Sequence, residues 1–140
     1  MKFLSQEMLD ELKKRTETDP ATQKTLEGVT IGVVLLVTDC PGNEDRALNV
    51  DITDGKFRGL TMQVKPAPSD LRTAAFDQDK YIGKIGGPYS LIGEVLTGKT
   101  AVITVLDKLN VEGDFNKLAN NLAGVQSVID VVSALPLVEV

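Results

Sequence analysis

Histidine is absent from the 140 residues, and cysteine occurs once, as Cys40. The first absence excludes Ser-His-Asp and Cys-His catalysis, histidine-bound zinc or haem, and a histidine proton switch. The second excludes an intramolecular disulfide, a CxxC redox pair and a multi-cysteine metal or iron–sulfur centre. Positive charge is also in deficit: 15 lysines and arginines stand against 20 aspartates and glutamates, a formal charge of −5. That sign repels a phosphate backbone, so nucleic acid is not an expected partner. The longest apolar run, residues 33–37, is far short of a membrane span. The opening MKFLSQEMLDELKK has acids in its first turns and no apolar h-region. It reads as neither a signal nor a transit peptide, and a cytoplasmic location is the expectation.

What remains is an ordinary globular balance, 42% hydrophobic and 25% charged, in a length that suits one domain over residues 1–140. Leu4, Met8, Leu9 and Leu12 share one helical face behind Ser5 as N-cap. Asp19-Pro20 starts a second short helix, running to Leu26 and stopping at Gly28. The period then changes. Residues 29–38 are apolar on both faces, which predicts a central strand covered on two sides, ended by Pro41, Gly42 and Asn43. Leu48, Val50 and Ile52 alternate with polar residues; Asp54-Gly55 turns the chain into a strand over residues 56–64, with Leu60, Met62 and Val64 on one face. Lys65-Pro66-Ala67-Pro68 is read as its end, with a short fourth strand near Leu71.

In the second half, Asp77 is expected to cap a helix through Ile85, broken by Gly86-Gly87-Pro88, with another short helix over residues 89–96. Residues 100–107 fit either period. Residues 109–112 read as a strand leading to Gly113-Asp114. Behind Asp114 an apolar stripe from Phe115 through Leu118, Leu122, Val125, Val128, Ile129 and Val132 to Leu135 predicts one long helix ended by Pro136.

The string GEVLTGKT, residues 93–100, satisfies the phosphate-loop pattern, in which Lys99 would reach the outer phosphates and Thr100 the magnesium of a nucleotide hydrolase. Its context argues otherwise. The D-x-x-G turn at Asp39 precedes it, Asn116 opens no guanine motif, Glu94 would repel phosphate, and a meander is the wrong sheet type. The plainer reading is a helix end with Gly98 at the C′ position. Cys40 has no adjoining cation to activate it. Asp39, Glu44, Asp45, Asp51 and Asp54 match no calcium loop and read as solvated strand and turn positions. Tyr81 and Tyr89 flank the glycine-rich break and read as packing residues, with a gating role as the alternative. The apolar surplus in the second half allows a ligand cavity or a homodimer face that includes residues 135–140.

The stretch LTGKTAVITVLDKLNVEGDFNKLANNL resembles the closing signature of the sterol carrier protein 2 (SCP-2) family: a glycine-lysine helix end, a short helix over residues 100–108, a strand ending Gly113-Asp114, and a long helix. Upstream, the helix, meander, Asp54-Gly55 turn and Pro68-Ser69-Asp70-Leu71 are similar to that family's order. The resemblance implies an α+β fold, a mostly antiparallel five-stranded sheet with helices on one face enclosing an apolar tunnel. It implies residues 100–107 are helical against their β-branched propensity. It further implies binding, or binding and transfer, of a sterol, fatty acid or fatty acyl-CoA, with no catalysis, cofactor or metal. On this reading Leu60, Met62, Ile82, Ile85, Leu91, Leu96, Ile103, Leu106, Leu118 and Leu122 are expected to line the tunnel. A hydrophobic small molecule is then the partner, with at most transient membrane contact. The sequence departs from the family in its longer residues 77–87 and in ending Val-Glu-Val, without a peroxisomal SKL signal.

Overall fold

The computed structural model of the chain describes residues 1–138. Helix α1 (Gln6–Thr18) starts where the sequence places it: the Ser5 hydroxyl accepts from the Met8 amide at 3.1 Å, satisfying a donor that a helix start leaves without a partner. Met8, Leu9 and Leu12 are buried on its inner face. Helix α2 (Pro20–Thr25) follows, with proline in its first turn and Gly28 beyond its end at φ 74°.

Five strands form one sheet in the order β3-β2-β1-β4-β5: β1 (Ile31–Cys40), β2 (Glu44–Thr53), β3 (Lys56–Pro66), β4 (Gly83–Pro88) and β5 (Asn110–Gly113). Strand β1 is the middle one, as its continuous apolar run predicts. The sheet is mixed. Three ladders are antiparallel, and β1 pairs with β4 in parallel, from Val33 opposite Gly83 to Thr38 opposite Pro88. Residues 67–82 carry the chain from β3 across the sheet before β4 begins, so β4 sets off in the same direction as β1.

Helices α3 (Tyr89–Leu96), α4 (Val102–Val105), α5 (Phe115–Asn120) and α6 (Leu122–Ser133) complete the chain. With α1 and α2 they cover the sheet face to which Ile31, Val33, Leu35 and Val37 of β1 and Leu48, Val50 and Ile52 of β2 turn. The opposite face is smaller and covered otherwise. There Leu36 and its cross-strand neighbour Ala47 pack on Leu71, which sits in the 3-10 turn Asp70–Arg72. The first residues meet the last described one: Lys2 pairs with Val138, and the Val138 amide donates to the Met1 carbonyl at 2.7 Å.

Several local expectations are corrected. Residues 77–85 are no helix. The Asp77 carbonyl accepts from the Tyr81 amide for a single turn, after which the chain extends into β4. Glycine disfavours a helix, and here it permits close approach: a Cβ on Gly83 would lie 2.9 Å from the Glu112 carbonyl oxygen, and one on Gly87 2.8 Å from Leu109 Cδ2. The expected strand near Leu71 is the 3-10 turn capped by Ser69. Strand β3 runs on through Lys65 to Pro66, because it is the outer strand and proline's missing N–H faces no partner there. The long C-terminal helix is two helices. At the break, Asn121 Nδ2 donates to the Lys117 carbonyl at 2.7 Å, competing with the helical ladder. Phe115 is 63% exposed and off the buried stripe. Asp45, read as solvated, is fully buried. Residues 102–108 are helical, α4 followed by the 3-10 turn Leu106–Lys108, despite their β-branched composition.

Candidate functional site

Between the sheet and α3, α4 and α6 lies a cavity in which every lining side chain is apolar. The elements place them by their natural periods. Strand β1 turns alternate residues Ile31, Val33 and Leu35 into it, and Ile85 lies beside them on β4. Helix α3 contributes Ile92, Val95 and Leu96, and α6 contributes Val125, Val128 and Ile129, each set at the i, i+3, i+4 spacing of one helical face. Val102 and Leu109 close one end. Among the described residues, no side chain of this lining can hold a metal, carry a proton or attack a bond. What such a lining does is remove hydrocarbon from water, worth about 0.8 kcal/mol per methylene.

The cavity volume is about 80 Å³, well below the roughly 300–1,000 Å³ of ordinary ligand pockets. A chain of many carbons does not fit in a space of this size.

Of the residues named from the sequence, Ile85 and Leu96 line this cavity. Leu60 and Leu118 are buried in the surrounding core; Met62, Ile82, Leu91 and Leu106 are half-buried against it, and Leu122 is half-buried at the start of α6. Ile103 is 66% exposed and points to solvent, because α4 turns Val102 and Val105 inward instead. The residues that sequence reasoning did not select, chiefly Val33, Leu35, Ile92, Val95 and Val128, carried their signal in plain periodicity. Which stripe faced which was missing.

The other motifs resolve structurally. In GEVLTGKT, Gly93 to Leu96 are the end of α3, and Lys99 and Thr100 follow it. The Gly98 amide donates to the Val95 carbonyl at 3.1 Å and the Lys99 amide to the Glu94 carbonyl at 2.9 Å, with Gly98 at φ 80°. That is a Schellman helix end. A phosphate loop needs its lysine at a helix start, where the dipole is positive; this one sits at the negative end. Cys40 is buried at the end of β1, and burial pushes its thiol up to about 11. Tyr89 packs its ring on Phe3, 5.7 Å between centroids, and Tyr81 lies near Lys80. Leu135, part of the suggested dimer tail, is buried in the chain's own core; Glu139 and Val140 of that tail lie outside the described residues.

No family model and no curated protein matches the sequence. Solved structures do match the fold. A crystal structure of sterol carrier protein 2 aligns with 94% of this chain and 97% of its own at TM-score 0.69 and 18% identity. A Thermus thermophilus protein described as "possibly sterol carrier protein" aligns over 95% and 89% at TM-score 0.66, also at 18% identity. The apo form of sterol carrier protein 2 from Yarrowia lipolytica aligns over 92% and 89% at TM-score 0.54 and 8% identity. No helix among the described residues is long and apolar enough to cross a membrane. Aligned over nearly the whole length of both chains at TM-scores of 0.66 and 0.69, the chain has the fold of sterol carrier protein 2.

Proposed function

We propose that the chain is a single-domain, non-enzymatic carrier that binds a lipid acyl chain between the sheet and the helices α3 and α6. The observation that carries this reading is the cavity whose walls are wholly apolar. The likeness to structures named sterol carrier protein supports it. A cavity that must widen to load favours a thin, flexible chain of a fatty acid or fatty acyl-CoA over a rigid sterol. Its lining comprises Ile85 and Leu96 together with their neighbours on β1, α3 and α6. Leu60, Met62, Ile82, Leu91, Leu106, Leu118 and Leu122 form the wall behind, exposed to ligand as the layer opens. Transient contact with a membrane surface would suffice for loading.

The test is native mass spectrometry of gently purified protein with lipid extraction, followed by titration of a fluorescent fatty acid into wild type and Val128→Phe. A co-purifying lipid, and fatty-acid binding lost in Val128→Phe, are expected. A bare protein mass with no fatty-acid binding would overturn the proposal and bring the homodimer reading forward.

A further inference from the structure

The sheet face away from the helices carries a second pocket, of about 210 Å³, beneath the segment that crosses from β3 to β4. Ala47 and Asn49 of β2 and Gln63 of β3 form its floor, and Leu71, residues 74–77 and Tyr81 form its roof. The pleat puts the three floor residues on one face: Ala47 packs there with Leu36 and Leu71, Asn49 stands two residues further along β2, and Gln63 is the cross-strand partner of Ala47. Space remains because small side chains meet across it, Ala47 below and Ala74 and Ala75 above.

The roof is tied down at three points. Ser69 and Arg72 donate to the buried Asp45, Lys84 Nζ donates to the carbonyls of Leu71 at 2.7 Å and Ala74 at 3.0 Å, and the Ile82 amide donates to the Gly32 carbonyl at 2.8 Å. The polar side chains of the floor are within reach of a solute, Gln63 being exposed and Asn49 half-buried. Asn49 Nδ2 donates to Thr61 Oγ1 at 3.2 Å, which leaves its second amide hydrogen and Oδ1 for a ligand. A carboxamide sets a donor beside an acceptor, so it matches a molecular edge that carries both. Phe76 and Tyr81, each half-buried, supply aromatic surface at the roof. The two charges of the wall, Lys84 and Asp77, are of opposite sign.

We propose that this pocket binds a small uncharged ring carrying an amide-like edge, held by the carboxamides of Asn49 and Gln63 and packed on Phe76 and Tyr81. Size agrees with this class. A cavity of about 150 Å³ accepts benzene, so 210 Å³ accepts one ring with an amide substituent. Charge agrees as well, because a wall that holds one cation and one anion favours neither sign of ligand. The buried charges Asp45 and Lys84 then have a use beyond joining β3 to β4: buried ionic groups specify one arrangement, here a roof held over open space. An apolar floor and roof with a few convergent polar groups is the make-up of a small-molecule site.

The experiment follows the side-chain amide resonances of Asn49 and Gln63 by NMR in full-length protein. The protein is titrated with nicotinamide, with its charged analogue nicotinate, and with toluene, which keeps a ring and loses the polar edge. Nicotinamide should shift both side-chain amides and the backbone amides of residues 74–77, saturably, and bind about fivefold or more tighter than either control. Asn49→Ala and Gln63→Ala change accessible positions and should each weaken it about fivefold. Shifts that never reach Asn49 and Gln63, toluene binding as tightly as nicotinamide, or full affinity in both variants overturns the proposal. Decanoate then separates this site from the lipid site: the nicotinamide shifts should persist in its presence, and competition between the two would mean there is no second site. Decanoate binding without nicotinamide binding sinks this proposal alone. Nicotinamide binding without decanoate binding supports it and sinks the lipid reading.

Discussion

Arg72 grips Asp45 with two prongs across the non-helical face of the sheet, Nε to Oδ2 at 2.8 Å and Nη2 to Oδ1 at 3.0 Å. The Ser69 amide and hydroxyl also donate to Oδ2, at 2.9 and 2.7 Å, and the Asp39 amide to Oδ1 at 3.1 Å. A fully buried carboxylate on β2 thus pins the segment that crosses from β3 to β4.

Arg72→Ala should cost about 3 kcal/mol in urea unfolding, because it strands a buried charge; Arg72 is itself a third exposed, which argues for the lower end of the range. The guanidinium and the Ser69 donors hold the Asp45 carboxyl well below its ordinary 3.8. Because the folded value is depressed, the pair's contribution is complete above the unfolded pKa near 3.8 and is lost as pH falls below it. Wild type should therefore show a steep acid limb that flattens in Arg72→Ala. Parallel limbs would mean the pair contributes nothing.

Lys84 is 3% exposed and donates to the carbonyls of Leu71 at 2.7 Å and Ala74 at 3.0 Å, with Glu112 3.9 Å away. Lys84→Met is expected to lose about 2 kcal/mol and to open residues 67–82 to limited proteolysis. Protection equal to wild type would show that Asp45 and Arg72 hold the segment alone.

A Cβ on Gly32 would stand 2.3 Å from the Lys80 carbonyl oxygen, where the crossing segment returns to β1 and the Ile82 amide donates to the Gly32 carbonyl at 2.8 Å. Gly32→Ala should cost about 1–3 kcal/mol through this overpacking. Gly124→Ala in α6, where nothing lies nearer than 3.6 Å, should instead stabilise by up to about 1 kcal/mol. Equal melting temperatures for the two variants would contradict both placements.

Burial of Cys40 predicts a slow thiol. Iodoacetamide at pH 8 should label it only on unfolding, since the folded thiol ionises near 11 against an ordinary value of 9.0. Because the unfolded chain releases this proton first, stability falls as pH rises from about 9 towards 11. Cys40→Ala should remove that part of the alkaline limb. Rapid labelling of native protein would show the end of β1 to be open.

The elements that formed as read are those whose signal is local. Ser5 caps α1 because a hydroxyl two or three residues before free amides is a sequence-level fact, and Gly98 ends α3 because only a left-handed residue closes that hydrogen-bond pattern cheaply. The errors fall where a distant partner decides. Gly83, Gly86 and Gly87 lacked helical or strand preference, and β1 and β5 on either side made them a strand. Asp45 looked solvated because its partners, Ser69 and Arg72, lie a whole strand away in sequence.

The candidate site divides the same way. Alternation in β1 and helical spacing in α3 and α6 are written in the chain, so the amino-acid sequence alone determined which residues are apolar together and that no histidine or multi-cysteine chemistry is present. It could not say which faces meet. The tertiary structure decided that Ile85 and Leu96 share a cavity while Ile103 faces water, and that Asn49 and Tyr81 close on one pocket. Local sequence sets a residue's angle about its own helix or strand, whereas a cavity is set by the packing of elements remote along the chain.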